Sequence, residues 1–167
     1  MPSNVYIDTE FHEYPSTIEL ISIALVSEDG RELYLENSEA DLSKADEWLK
    51  KNVIAHLQGG NVSKTRTEIR KEILEFIGDT RPEFWAYFAD YDWVVFCWIF
   101  GRMIDLPSHF PKYCRDLKQL MDTYSIKKSD LPKQTDTNHH ALADARWVRD
   151  AYWAAENIIR NSHKMKR

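Results

Sequence analysis

Val5-Tyr6-Ile7-Asp8-Thr9-Glu10-Phe11 runs from three strand-forming residues straight into two acids. Val, Tyr and Ile favour a pleated, half-buried backbone, so residues 5–7 are expected to form a strand near the start of a core. Side chains two apart on a strand share a face, so Asp8 and Glu10 should project together at its end. Thr9 then points the other way, and Phe11 follows as a bulky apolar residue. Neighbouring carboxylates repel, and a divalent cation between them removes that penalty. Alone, an Asp-x-Glu pair reads more simply as a polar strand end facing solvent. Further ligands elsewhere in the chain decide between the two.

Outward from this strand, residues 18–27 are apolar, Glu28-Asp29-Gly30-Arg31 signals a tight turn, and residues 32–35 form the returning strand. The first three strands should therefore be an antiparallel group. Beyond Leu42 the period changes. Ser43 is expected to cap a helix carrying Trp48, Leu49 and Val53 that Gly59-Gly60 ends. A second helix is expected from about Lys64 to Ile77, with Ile69, Ile73 and Ile77 on one face. Its other face carries Lys64, Arg66, Arg70 and Lys71, which reads as a solvated surface. Residues 84–88 read as a buried strand, and an apolar helix should follow from Trp93 to about Ile104. A short strand at 113–117, a helix at 117–124 and a polar, mobile stretch at 125–137 come next. The last helix should start near Asn138, with Ala145, Val148, Tyr152, Ala155 and Ile159 as its apolar stripe. This order predicts an α/β domain on a mixed sheet. Open sheets bind ligands at strand ends, where Asp8, Glu10 and Asp92 fall.

The bulk numbers agree. The 167 residues, 43% hydrophobic and 13% aromatic, suit one globular domain spanning 1–167. A net charge of −5 gives no overall positive field toward nucleic acid or anionic membrane. An acidic nuclease site is compatible with it, because bound metal inverts the local sign. Cys97 and Cys114 form no metal or disulfide pattern and suggest a reducing compartment. With no signal-peptide pattern, and apolar runs far short of the ~20 residues that span a bilayer, a cytoplasmic protein with no membrane partner is expected.

Two further acidic clusters complete the set. Asp92 sits where a strand gives way to a helix. Aspartate there can serve as a plain helix cap, but Asp90 suits the cap, leaving Asp92 in the first turn with its carboxylate free. The third cluster is His139-His140-Ala141-Leu142-Ala143-Asp144. A match to His-x-Ala-Leu-x-Asp in a chain this long has a chance on the order of one in a thousand from average composition. Helical spacing alone favours His140, four residues before Asp144; His139 lies about 140° away if already helical.

Taken together, Asp8-Thr9-Glu10, Tyr91-Asp92 and His139-x-Ala-Leu-x-Asp144 resemble, in order, the three motifs of the DEDDh 3′→5′ exonuclease superfamily. Within it the chain looks most like the polyadenylate-specific exoribonuclease (RNase AS) family. That likeness rests on Asp-Thr-Glu-Phe, Glu19-Leu20-Ile21-Ser22-Ile23, Glu28-Asp29-Gly30-Arg31-Glu32 and Trp85-Ala86 ahead of Tyr91-Asp92. It extends through Leu106-Pro107, Pro111 and Arg115-x-Leu-x-Gln-Leu120, almost to the final helix.

The resemblance implies an RNase H-like fold with a mixed five- to six-stranded central sheet flanked by helices. It implies two divalent cations, Mg²⁺ or Mn²⁺, held by Asp8, Glu10, Asp92 and Asp144, with His139 as general base. A base must reach the attacking water rather than stack on a ligand, which a histidine in the loop entering the helix can do. Asp8 would bridge the ions, Glu10 and Asp144 hold one, and Asp92 support the other. Phe11 and Thr9 are the expected substrate contacts, Phe11 by stacking on the terminal base. Arg146, Arg149 and the basic face of the second helix are candidate phosphate contacts. The expected partner is the 3′ end of single-stranded, adenylate-rich RNA, cut to nucleoside 5′-monophosphates by a homodimer. A single-stranded DNA exonuclease and a non-catalytic nucleic-acid-binding module on the same fold are the alternatives.

Overall fold

The computed structural model describes residues 3–134 and 139–165 of the chain. The opening stretch lies inside β1 (Ser3–Tyr14), which pairs antiparallel with β2 (Thr17–Ser27), as β2 does with β3 (Glu32–Asn37). Gly30 turns the second hairpin at φ 89°, a conformation that side-chain-bearing residues enter only with strain. β4 (Ser63–Lys64) joins β3 in parallel. On the other side β5 (Pro82–Ala86) and β6 (Arg115–Asp116) add in parallel, giving the order β4-β3-β2-β1-β5-β6. The sheet is mixed and six-stranded, as expected.

Alternation along β1 sorts the core into two layers. Val5 and Ile7, with Ile23 and Leu25 of β2, pack against Ile69 and Ile73 of α2 (Arg66–Ile77) and Phe96 of α3 (Ala89–Phe100). Tyr6, with Ala24 and Val26, packs on the opposite side against α4 (Leu117–Thr123) and α5 (Ala141–Met165). The α5 stripe is Ala145, Val148, Ala151, Ala155 and Ile159, with Tyr152 partly buried beside it. Its alanines let the helix lie close on the sheet, where each large side chain buried on β1 contributes about 1.5–3 kcal/mol.

The register shifts between Glu10 and Phe11, which face Ser22 and Leu20, so Ile21 has no partner on β1. Such a bulge redirects a side chain. Ile21 packs instead with Ala45 and with Leu49 and Val53 at α1 (Glu47–Asn52), anchoring that helix beside the acids.

Several boundaries differ from expectation. Asp8 and Glu10 lie mid-strand, because β2 carries β1 on to Tyr14. Asp46, not Ser43, caps α1 by accepting from the Leu49 N–H at 2.7 Å, and the helix ends at Asn52, well before Gly59. Lys64 belongs to β4, and Thr65 with Glu68 forms a reciprocal cap on α2. α3 begins at Ala89 and stops before Gly101. In the stretch expected to be mobile, Ile126 and Leu131 are tucked into the second core layer, while residues 135–137 lie outside the described residues. Asn138, the expected helix start, lies outside them too; α5 is seen from Ala141. No helix among the described residues is long and apolar enough to cross a membrane.

Candidate active site

The acids meet because β5 is short. Its pairing with β1 ends at Tyr6↔Trp85, so beyond Tyr6 that edge of β1 has no strand beside it. α3 fills the gap. Phe88 takes a left-handed conformation (φ 59°, ψ 57°), and its N–H donates to Asp116 Oδ1 at 3.2 Å. The helix starts from this turn without a side-chain cap, so Asp90 does not serve as one. Asp92, in the first turn, is 6% exposed, and its Oδ1 accepts from both the N–H and the hydroxyl of Thr9 at 2.8 and 2.6 Å. Thr9 does point away from Asp8 and Glu10, and its hydroxyl is committed to Asp92.

Asp8 and Glu10 lie on the face covered by α5, whose first turn carries Asp144. One carboxylate oxygen from each of Asp8, Glu10 and Asp144 lies within 4.8 Å of the others. These three and Asp92 line one open cavity of about 620 Å³. Burial and mutual repulsion make the anions unfavourable there. Burial, then the charges of Asp92, Asp144 and Glu10, lift Asp8 well above the usual carboxylate range. Burial, then Asp144 and Asp92, push Glu10 up to about 8. Asp92 is pushed up to about 6 by burial, with the Thr9 hydrogen bonds acting against the rise. Asp144 is also raised by burial, tempered by the Gln134 amide and by His139. A cation would reverse this balance, and an all-oxygen donor set of this kind suits a hard divalent ion.

The two histidines part company at the entrance to α5. His139 is left-handed (φ 62°) and lines the cavity, edge-on to Trp48 at 4.9 Å. His140 stacks on Tyr34 at 4.7 Å, with its Nε2 3.4 Å from Gln58 Nε2. Tyr34 donates to the buried Glu36 at 2.9 Å, which also accepts the Gln58 and Gly59 N–H groups at 2.6 and 2.8 Å. The histidine favoured by helical spacing is thus pinned outside, and the one in the loop faces the acids.

A family model described as the 3′-5′ exoribonuclease Rv2179c-like domain matches residues 3–155. The chain belongs to this family. It is 37% identical over 146 residues to the 3′-5′ exoribonuclease Rv2179c of Mycobacterium tuberculosis H37Rv, covering 84% of this chain and 86% of that one. Among solved structures, a 3′-exonuclease that recognises the histone mRNA stem-loop superposes with a TM-score of 0.65 at 9% identity, over 92% of this chain and 64% of its own. Escherichia coli exonuclease I bound to a dT13 oligonucleotide superposes with a TM-score of 0.66 at 14% identity, over 99% of this chain and 43% of its own. The chain thus spans less than two thirds of either exonuclease, and the likeness to them is one of fold, RNase H-like as expected.

In this Rv2179c-like chain the cavity has walls that its sequence alone did not single out. Phe11 lines it, edge-on to Tyr91 at 5.7 Å. Trp48, Tyr87, Phe88 and Trp147 add aromatic surface, and the Gln134 amide donates to Asp144 Oδ1. Trp147 was findable, since three residues after Asp144 it shares that helix face. Trp48 and Phe88 were not, because a bulge and a left-handed residue bring them there. Of the basic candidates, Arg146 forms a bidentate pair with Glu32 at 2.8 and 2.6 Å, and Arg149 pairs with Asp150 at 2.9 Å. On α2 and at its entrance, Lys71 pairs with Glu75 and Lys64 with Glu72, in keeping with a solvated face.

Proposed function

We infer that the chain is a metal-dependent 3′→5′ exoribonuclease, a single domain over 1–167 that shortens single-stranded RNA to nucleoside 5′-monophosphates, with adenylate-rich strands preferred. The observation that carries this reading is the meeting of Asp8, Glu10 and Asp144 within 4.8 Å, in one cavity with Asp92 and His139. Membership of the exoribonuclease family supports it.

Asp8, Glu10 and Asp144 would hold one divalent ion, and Asp8 with Asp92 a second, Mg²⁺ or Mn²⁺. When bound, such ions supply positive charge against the negative charge that builds on the attacking and leaving oxygens. The chain's own residues do the rest. Thr9 fixes the Asp92 carboxylate with two hydrogen bonds, so its free oxygen is aimed before substrate arrives. His139, set in the loop before α5, takes the proton from the attacking water, a role for which imidazole is the usual side chain. Phe11 stacks on the terminal base, a contact open to unpaired strands.

The test is digestion of 5′-labelled poly(A), poly(U) and oligo(dA) with Mg²⁺, Mn²⁺ or chelator. A ladder shrinking from the 3′ end, fastest on poly(A) and absent in chelator, is expected. Equal or faster loss of oligo(dA) overturns the RNA assignment, and binding without cleavage overturns the enzyme. A homodimer in the cytoplasm completes the reading, and light scattering and cell fractionation check those two points.

A further inference from the structure

Lys128 opens a short 3₁₀ turn, Lys128–Asp130, between α4 and α5. Its ammonium stands over two aromatic rings, 5.2 Å from the centroid of Trp147 and 5.6 Å from that of Tyr87. Those rings meet edge to face at 5.0 Å, and Trp147 is 8% exposed in the second core layer. Packing therefore fixes the platform, and the platform holds the ammonium by cation–π attraction.

Among the described residues Lys128 is the one lysine or arginine lining the carboxylate cavity. Four cations elsewhere have acidic partners: Arg146 with Glu32, Arg149 with Asp150, Arg115 with Glu83 and Lys64 with Glu72. Lys128 borders an acidic cavity, yet among the described residues no carboxylate oxygen lies within 4.0 Å of its Nζ. An unmatched, pre-positioned ammonium beside an anion-repelling centre is a built receptor for an anionic group of the ligand. The phosphate being cut has its place at Asp8, Glu10 and Asp144, whereas Lys128 lines the same cavity without forming an ion pair with any of these acids, so the next phosphate along the strand is the group that fits.

We propose that Lys128, on its Tyr87–Trp147 platform, binds the phosphate one nucleotide upstream of the scissile bond and so favours strands of three or more nucleotides over dinucleotides. This rests on the exoribonuclease reading. A diribonucleotide carries only the phosphate that is cut, whereas a triribonucleotide carries one more. In the unsubstituted chain the triribonucleotide should show a KM about tenfold lower, the effect of one charged contact. Lys128→Ala should erase most of that length advantage while Lys128→Arg keeps it. The slope of log KM against log salt on a single-stranded homopolymer should flatten by about 0.7, as for one lost phosphate contact. If Lys128→Ala keeps the length ratio and the salt slope, or weakens both substrates equally as a folding defect would, the subsite is overturned while the exonuclease stands. If the unsubstituted chain cleaves neither substrate in any metal, the exoribonuclease reading fails and the subsite fails with it.

Discussion

Thr9 and Asp92, 83 residues apart in the chain, are tied by two donors on one to a single oxygen on the other, at 2.8 and 2.6 Å. One donor is the N–H that β1 has left over where β5 stops, so the same bond satisfies a strand edge and aims a carboxylate. Thr9→Val keeps the side-chain shape and removes only the hydroxyl. A hydrogen bond to a charged group contributes about 1.5–3 kcal/mol, so denaturant unfolding at pH 8 should show a loss of that size, with turnover falling as well. Thr9→Ser should keep most of both. An unchanged midpoint in Thr9→Val would show that the N–H alone holds Asp92.

Asp8→Asn removes one of the crowded acids. Without metal the variant should melt higher than the parent at pH 8, because like charges in a buried site repel, while turnover falls by at least about a thousandfold. Calorimetry in chelator and a labelled-RNA assay read the two effects. A lower melting point would mean that the carboxylate holds the site together rather than straining it.

The raised acids fix the sign of the pH dependence. Glu10 moves from an ordinary 4.5 to about 8 on folding, and Asp92 from 3.8 to about 6. Between those values the folded chain binds more protons than the unfolded one, so stability falls as pH rises. Asp29, held near 2 by Ser27 and Arg31, and Asp105, held near 2 by Arg102, have finished titrating below this window. In chelator the melting temperature should therefore drop from about pH 5 to about pH 8. Mg²⁺ or Mn²⁺, which bind the ionised acids, should restore it most at the alkaline end. A melting temperature in chelator that is flat or rising over that range contradicts the account.

His139→Ala should lower kcat by about 10²–10⁴-fold, the usual contribution of a positioned base, with little change in melting temperature. His140→Ala should have the opposite profile. It loses the stack on Tyr34 and loosens the turn, so stability drops by about 0.5–1.5 kcal/mol while kcat changes far less. Exchange of these two profiles would reassign the base to His140.

Phe88 is 59% exposed and left-handed, a costly conformation for an aromatic residue. Phe88→Gly relieves about 1–2 kcal/mol of backbone strain. It forfeits the edge contact with Tyr87 at 4.5 Å, worth about 0.5–1.5 kcal/mol. The two nearly cancel, so stability should change by less than about 1 kcal/mol, while KM for RNA rises if the ring contacts substrate. A KM that does not move would leave the ring with a purely structural part.

Strand and helix periods were legible from sequence because they repeat: β1, the two hairpins, the apolar face of α2 and the stripe on α5 stand where alternation and 3.6-residue spacing put them. The acids were legible because Asp8-x-Glu10 fixes a shared face and Asp144 rides on a helix whose small residues demand close approach. What escaped depends on single conformations. The extra residue at Ile21 swings α1 and Trp48 to the site, the left-handed Phe88 starts α3 four residues earlier than Trp93, and Asp46 takes the cap expected of Ser43. Nothing periodic announces a bulge or a left-handed residue, and several polar residues near a helix start compete for its cap.

The site draws its first acids from β1 and its last from α5, the opening and closing elements of the sheet's second layer. A growing polypeptide therefore leaves the ribosome with Asp8 and Glu10 long before Asp144, His139 and Trp147 exist to join them. Degradative power would arrive only after the last of these residues had been made, and a product terminated before α5 would be harmless to the messages around it.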